Sequence, residues 1–351
     1  MREKRDKPST GKADYLAQFR AGRPHFFEQV RDSCPWCGSP DIGFRIRLSD
    51  MNQLKPGTFE MHECSACGHL FQNPCLTETG LAFYYRDFYD GVGSQTWDSV
   101  FAYNRKGYRA RVRMLDGLAL PASWLDVGGG HGHFCHEAKK ILPDTHFSGL
   151  DQSEEIQRAH ERGWIDTAYD RPFQAFADEH QEKFDVVSMA HYLEHTLSPK
   201  DEIAAAEKVL AKDGMLLIEL PNPESWYARF YGKFWFGWLA PQHVHLMPWR
   251  NVCRLLEDRG FEVLRVELGT ASSAVDNMAA VTTALSHYLP PPAHWPWIQR
   301  PIRLTDRILR RAAMVLAAPV TALAWLADLV LHQIVSRGDG GNTYRILAVR
   351  R

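Results

Sequence analysis

Two sets of residues carry chemistry in their spacing. Cys34-Pro-Trp-Cys37-Gly38 and Cys64-Ser-Ala-Cys67-Gly68 each place two thiols on a tight turn, and the Gly after the second Cys permits the positive φ that turns backbone N–H groups toward sulfur. Two such knuckles, separated by 26 residues, make the four-thiolate tetrahedron of a structural Zn2+ site, closed to water and substrate. Redox dithiols and free thiols are the alternatives for the same spacing, and His62 and His69 are spare donors nearby. The second set is Trp124-Leu-Asp126-Val-Gly128-Gly-Gly130-His-Gly132-His-Phe134, a strand running into a glycine turn and then a helix. Its acid before the first Gly would repel a pyrophosphate and suits a cationic or amino-acid ligand. Asp151, closing the next strand in Ser148-Gly-Leu-Asp151, is placed to accept hydrogen bonds from ribose hydroxyls. Two acids and three glycines then describe one ligand.

The elements that position these residues follow from periodicity. Apolar runs of strand length (124–127, 145–150, 184–189, 215–220) alternate with amphipathic stretches (134–142, 153–162, 201–211), the mark of βαβ units and a parallel sheet covered on both faces. A helix over 249–260, a strand over 261–268 and a last strand over 343–349 follow. The predicted division is a basic tail (1–31), a zinc ribbon (32–73), a helical linker or cap (74–118), a core (119–270), a helical insertion (271–336) and the core's last strand (337–351). Around Tyr15–Phe27 the tail reads as mobile or as a peripheral helix.

The glycine segment resembles the class I S-adenosylmethionine-dependent methyltransferases, as do, in order, Phe184-Asp-Val-Val187, Tyr192-Leu-Glu-His195, Leu210-Ala-Lys-Asp-Gly-Met-Leu216 and Leu220-Pro-Asn222. The resemblance implies an α/β, Rossmann-like seven-stranded sheet with a small N-terminal zinc ribbon and a C-terminal helical insertion. It implies S-adenosyl-L-methionine held by Asp126, Gly128, Gly130, Gly132 and Asp151, beside a structural Zn2+ on Cys34, Cys37, Cys64 and Cys67. The family's third strand, expected between Ile165 and Tyr169, is poorly marked. The ribbon, linker and core together resemble bacterial methyltransferases of sugar-nucleotide, polysaccharide and glycolipid assembly. The implied activity is methyl transfer to a small polar or lipid-linked acceptor, a sugar or polysaccharide precursor. The other readings are an RNA methyltransferase using the ribbon to bind its substrate, and a cofactor-binding scaffold without activity.

Methyl transfer depends on holding the nucleophile at the methyl group, with a base where that nucleophile carries a proton. His195 and His243 follow strand ends that face the cofactor in this fold and are the catalytic candidates; Glu194 reads as a helix-end charge. Aromatic residues crowd Trp226–Trp238, equally consistent with core packing and with a substrate or membrane surface. Arg300, Arg303, Arg307, Arg310 and Arg311 recur at helical steps before an uncharged run, 312–327, interrupted by Pro319. The run is short of the ~20 residues of a clean span. A returning last strand excludes a single crossing and leaves a hairpin bent at Pro319 on anionic headgroups, or helices packed on the core or in a dimer.

The 351 residues are 45% hydrophobic and 24% charged, with 41 Lys and Arg against 42 Asp and Glu. That balance is globular and lacks the global cationic field of a general nucleic-acid binder, so nucleic acid is not the expected partner. Seven cysteines without an apolar leader point to a reducing, cytoplasmic location, with peripheral contact to the inner membrane face through 300–336 as its extension.

Overall fold

The structure, a computed structural model, describes residues 12–86, 104–269, 275–293, 295–298, 300–335 and 340–351. Residues 1–11 of the expected tail, 87–103 of the expected linker, 270 of the expected core, 271–274, 294, 299 and 336 of the expected insertion and 337–339 of the expected last-strand segment lie outside the described residues.

The chain opens with α1 (Lys12–Arg20) and α2 (Arg23–Phe26), then β1 (Ile42–Leu48), β2 (Phe59–Cys64), β3 (Leu70–Gln72) and α3 (Glu78–Tyr85). After α4 (Arg105–Arg113) come β4 (Ser123–Val127), α5 (His133–Ala138), β5 (His146–Leu150), α6 (Glu155–Glu161), β6 (Thr167–Tyr169), α7 (Phe173–Glu179) and β7 (Phe184–Ala190). Then follow α8 (Pro199–Val209), β8 (Leu210–Pro221), α9 (Trp226–Tyr231), β9 (His245–Leu246), α10 (Trp249–Asp258), β10 (Phe261–Gly269), α11 (Asp276–Tyr288), α12 (Leu304–Val335) and β11 (Thr343–Arg350).

Seven strands form the core sheet in the order β10-β11-β8-β7-β4-β5-β6. The pairs from β8 to β6 are parallel, and β11 runs antiparallel to both its neighbours. Near-continuous burial of β7 and β8 is what a parallel sheet with helices on both faces requires. Strand order reverses direction at β4: β5 and β6 lie on one side, β7 and β8 on the other. A ligand crevice forms outside the carboxyl ends of strands at such a switch point. The poorly marked third strand is β6, three residues long, paired only with β5; an edge this short has little room for an apolar signature.

The cysteine-bearing strands form a second sheet, β1-β2-β3-β9. Its fourth strand, β9, comes from the core, 175 positions after β3 begins at Leu70, so the ribbon is built onto the core; the Asn251 amide also donates to the Cys67 carbonyl at 2.9 Å.

The N-terminal helices differ from a mobile or peripheral tail. Tyr15 is fully buried against Phe83 and Trp297, with ring centroids at 5.7 and 5.2 Å, so tail, linker and insertion share one apolar cluster. Burial of one large ring anchors a stretch whose charge pattern reads as solvated.

No break divides the insertion into a hairpin at Pro319; α12 runs through it as one 32-residue helix. Proline removes one backbone bond and need not end a helix whose flanking turns are strong helix formers, here rich in Ala and Leu. The Asp328 carboxylate pins α12 to α11 by accepting from the backbone N–H groups of Asn277 and Met278 at 2.9 and 3.0 Å. Much of the rest of α12 is bare: Val315 is 72% exposed, Leu316 79%, Leu323 66% and Val330 64%.

Candidate functional site

The glycine turn leaves β4 at the switch point and enters α5. Gly128, Gly130 and Gly132 all have positive φ (74°, 48° and 73°), which L side chains rarely adopt. They serve different ends. A Cβ at Gly128 would stand 2.7 Å from the Tyr192 ring, and one at Gly132 2.6 Å from the Ala159 Cβ; both positions are glycine for packing. A Cβ at Gly130 would meet nothing within 4 Å, so there the backbone faces open space.

Asp151 sits across from this opening. Its carboxylate accepts from the Gly130 N–H at 3.0 Å and from the Ser153 N–H at 2.8 Å, one bond to each oxygen. Each oxygen keeps a further lone pair, and the side chain is half-buried. Asp126 is differently placed: fully buried, it accepts from the Ser188 hydroxyl at 2.5 Å and faces the Cys135 thiol at 3.9 Å. Burial pushes its pKa up to about 6, with Arg111 and Ser188 opposing. Asp126 therefore fastens the turn to β7 and α5, whereas Asp151 borders open space.

The second half of the site gathers past β7. His195 and His243 lie with ring centroids 4.4 Å apart, although 48 residues separate them in sequence. The His195 Nδ1 stands 3.1 Å from the Gln242 carbonyl and the His243 Nδ1 2.7 Å from the Gly237 carbonyl. A carbonyl only accepts, so each Nδ1 carries the proton and each Nε2 the lone pair. Burial lowers the pKa of both, that of His243 to about 3, and keeps both rings neutral. Of the two, His195 is the half-buried one.

Glu194 corrects the reading as a helix-end charge. It is fully buried beneath these rings because the Val244 N–H, at 2.9 Å from the Glu194 carbonyl, ties the two segments together and closes solvent out. Residues missed in the sequence complete the site. His191 adopts φ 51° at the end of β7, a strained backbone for a non-glycine residue and a frequent mark of functional sites. Its ring bridges Glu194 and Glu219, each at 3.2 Å. Burial pulls its pKa down, but the two carboxylates outweigh that and hold it at about 9. Glu219 is in turn held by Arg111 at 3.1 Å and Arg345 at 2.6 Å. Periodicity gives no warning of an ion network drawn from α4, β7, β8 and β11.

At the ribbon, Sγ of Cys34 and Cys67 lie 3.8 Å apart, Cys37 and Cys64 3.5 Å, and all four within 4.8 Å. Four sulfurs at ~2.3 Å from one Zn2+ are spaced by about 3.8 Å, so the thiols fit that ion. Spare donors are unneeded: His69 is turned away to His245, 3.0 Å between ring nitrogens. The aromatic segment divides between both expectations, with Trp235 and Trp238 in the core and Trp226, Phe230 and Phe236 exposed by 73%, 82% and 46%.

Residues 101–266 match a family described as a methyltransferase domain. That span runs from ahead of α4 into β10 and contains the glycine turn, Asp151 and both histidines. These residues are a methyltransferase domain. The chain is an enzyme of the S-adenosylmethionine-dependent class, and S-adenosylmethionine is its methyl donor. Similar solved structures include a SAM-dependent methyltransferase from Archaeoglobus fulgidus, 16% identical, covering 76% of this chain and 100% of that one, TM-score 0.45. Another is a possible histamine N-methyltransferase from Thermotoga maritima, 14% identical over 76% of this chain and 98% of that one, TM-score 0.43. A third, 1,6-didemethyltoxoflavin-N1-methyltransferase from Burkholderia thailandensis, is 17% identical over 53% of this chain and 78% of that one, TM-score 0.40. No curated protein matches the chain.

Proposed function

We propose that the methyltransferase acts on a small polar or lipid-linked acceptor, a sugar or polysaccharide precursor, at the surface of the inner membrane leaflet. The observation that carries this is α12, whose apolar face lies open along most of its length while its start, and the segment before it, bear Arg300, Arg303, Arg307, Arg310 and Arg311. Apolar side chains beside arginines suit the boundary of acyl chains and anionic headgroups. The stretch Leu304–Leu331 has the length and hydropathy of a membrane helix, but β11 returns the chain to the core sheet, so we assign α12 to the interface rather than to a crossing. Exposed Tyr288 ends α11, which packs beside it, and extends the apolar surface.

In this reading the open backbone at Gly130 and the outward lone pairs of Asp151 hold the cofactor, with Asp151 taking its ribose hydroxyls. Asp126, Gly128 and Gly132 keep the turn in shape. When bound, S-adenosylmethionine supplies an electrophilic methyl on a sulfonium. His195 and His243 stand at the acceptor end, where a neutral Nε2 lone pair receives the proton of a hydroxyl or amine nucleophile. The structural Zn2+ on Cys34, Cys37, Cys64 and Cys67 secures the ribbon on which β9, next to His243, is hung.

The test incubates purified protein and methyl-labelled S-adenosylmethionine with cell extract and separates RNA, organic-phase and small polar pools. Label in the organic or polar pool, together with flotation on anionic but not on zwitterionic vesicles, supports the proposal. Label in RNA, or flotation that survives deletion of 300–336, refutes it.

A further inference from the structure

We propose that Glu194, His195 and His243 form a binding site for a divalent transition-metal cation, separate from the four-cysteine site. One ring nitrogen of each histidine and a carboxylate oxygen of Glu194 lie within 4.8 Å of one another. The His243 Nε2 is 3.9 Å from Glu194 Oε1. Two imidazoles and one carboxylate are the ligand set that borderline cations such as Zn2+, Mn2+, Fe2+ and Co2+ take when some positions are left open for a substrate.

Three further observations point to a cation. Both histidines are locked by a backbone carbonyl on Nδ1, the outer-shell arrangement that fixes a ligating imidazole with its Nε2 lone pair inward. Glu194 is fully buried, and its Oε2 has no hydrogen-bond partner among the described residues. An unmet carboxylate oxygen inside a protein is expensive unless something positive meets it. Finally, His191 is engaged with Glu194 Oε1 and with Glu219, not with Oε2. The His243 Nε2 thus faces the Oε1 that His191 also meets, and Oε2 is the carboxylate oxygen left for a cation.

Ligand atoms ~2.1 Å from one ion stand roughly 3.0–3.4 Å apart, so binding needs a contraction of about an ångström. The ligands sit in a short 3-10 turn, Leu193–His195, and in the connection before β9, outside the strands of the core sheet. Of the three ligands His195 alone is half-buried. The role, unlike the binding, rests on the proposed function. With the cation bound the histidines act as ligands, and an acceptor hydroxyl coordinated to it loses its O–H proton to water while the oxygen keeps the electron pair for the methyl group.

The experiment counts metal without using activity. Purified protein is equilibrated with excess Zn2+, gel-filtered and analysed by mass spectrometry for metal per chain. Two equivalents are expected in the wild type and one in His195→Ala and in Glu194→Gln, with circular dichroism verifying that each variant is folded. A second measurement needs no variant: Co2+ added to protein already holding one Zn2+ should give visible d–d bands without the near-ultraviolet thiolate charge-transfer band. A single equivalent in folded wild type, or cobalt bands that carry only thiolate character, overturns the proposal. Because neither readout needs S-adenosylmethionine, loss of the metal site and loss of methyl transfer are distinguished.

Discussion

Replacing Gly130 by alanine adds a methyl group where no heavy atom stands within 4 Å, whereas at Gly132 the same methyl lands 2.6 Å from the Ala159 Cβ. Both positions also have positive φ, which costs an L residue roughly 1–2 kcal/mol. Gly130→Ala should thus lose only that strain, while Gly132→Ala adds an overpacking cost of about 1–3 kcal/mol. In a chain of this size each kcal/mol moves the melting temperature by roughly 1–2 °C. Binding should run the opposite way: the methyl at 130 enters the space assigned to the cofactor and should raise the dissociation constant for S-adenosylhomocysteine at least tenfold, about 1.4 kcal/mol. Calorimetric titration and thermal unfolding of both variants provide the comparison. Gly130→Ala protein that binds with wild-type affinity would refute the assignment of that opening to the cofactor. Equal stability of the two variants would refute the division of the glycines into packing and ligand positions.

Other outcomes follow from the same geometry. Cys64→Ser should lose one zinc per chain together with ribbon folding, as read by metal analysis and proteolysis, since structural zinc supplies folding free energy. Glu219→Ala leaves the buried Arg111 and Arg345 without their shared carboxylate and should cost about 3–5 kcal/mol in denaturant unfolding. Asp276 has a carboxyl pushed up to about 7 by burial and by Asp328, with Asn342 opposing. Its folded pKa is above the unfolded value, so its neutral form is favoured by folding: the chain is most stable near pH 4 in this respect and loses up to about 4 kcal/mol as pH rises to 7. Asp276→Asn should therefore raise the melting temperature at pH 8 and leave it little changed at pH 4.5, and an equal shift at both pH values would contradict the burial argument.

The sheet was legible because each of its central strands is short, apolar and followed by an amphipathic helix, and because the glycine turn needs backbone conformations that only glycine takes freely. Cys34, Cys37, Cys64 and Cys67 were legible as a set because knuckle spacing is local. What escaped is non-local. Glu194 looks like a helix-end charge until the Val244 N–H closes the segment after β8 over it. Arg111 and Arg345 meet at Glu219 from 234 positions apart, and nothing in either neighbourhood announces the other. His191 carries its signal in a φ angle, and the burial of Tyr15 depends on Trp297, a residue near the other end of the chain.

Methyl transfer from a cofactor held at Asp151 is the central step. The decisive measurement is S-adenosylhomocysteine release from S-adenosylmethionine in the presence of extract, by wild type and by folded Asp151→Ala. The wild type should release it, and the variant should show a fall of tenfold or more in S-adenosylhomocysteine affinity and in release at limiting cofactor, from loss of charge-assisted bonds of ~1.5–3 kcal/mol each. Wild-type affinity and turnover in Asp151→Ala would contradict that placement of the cofactor.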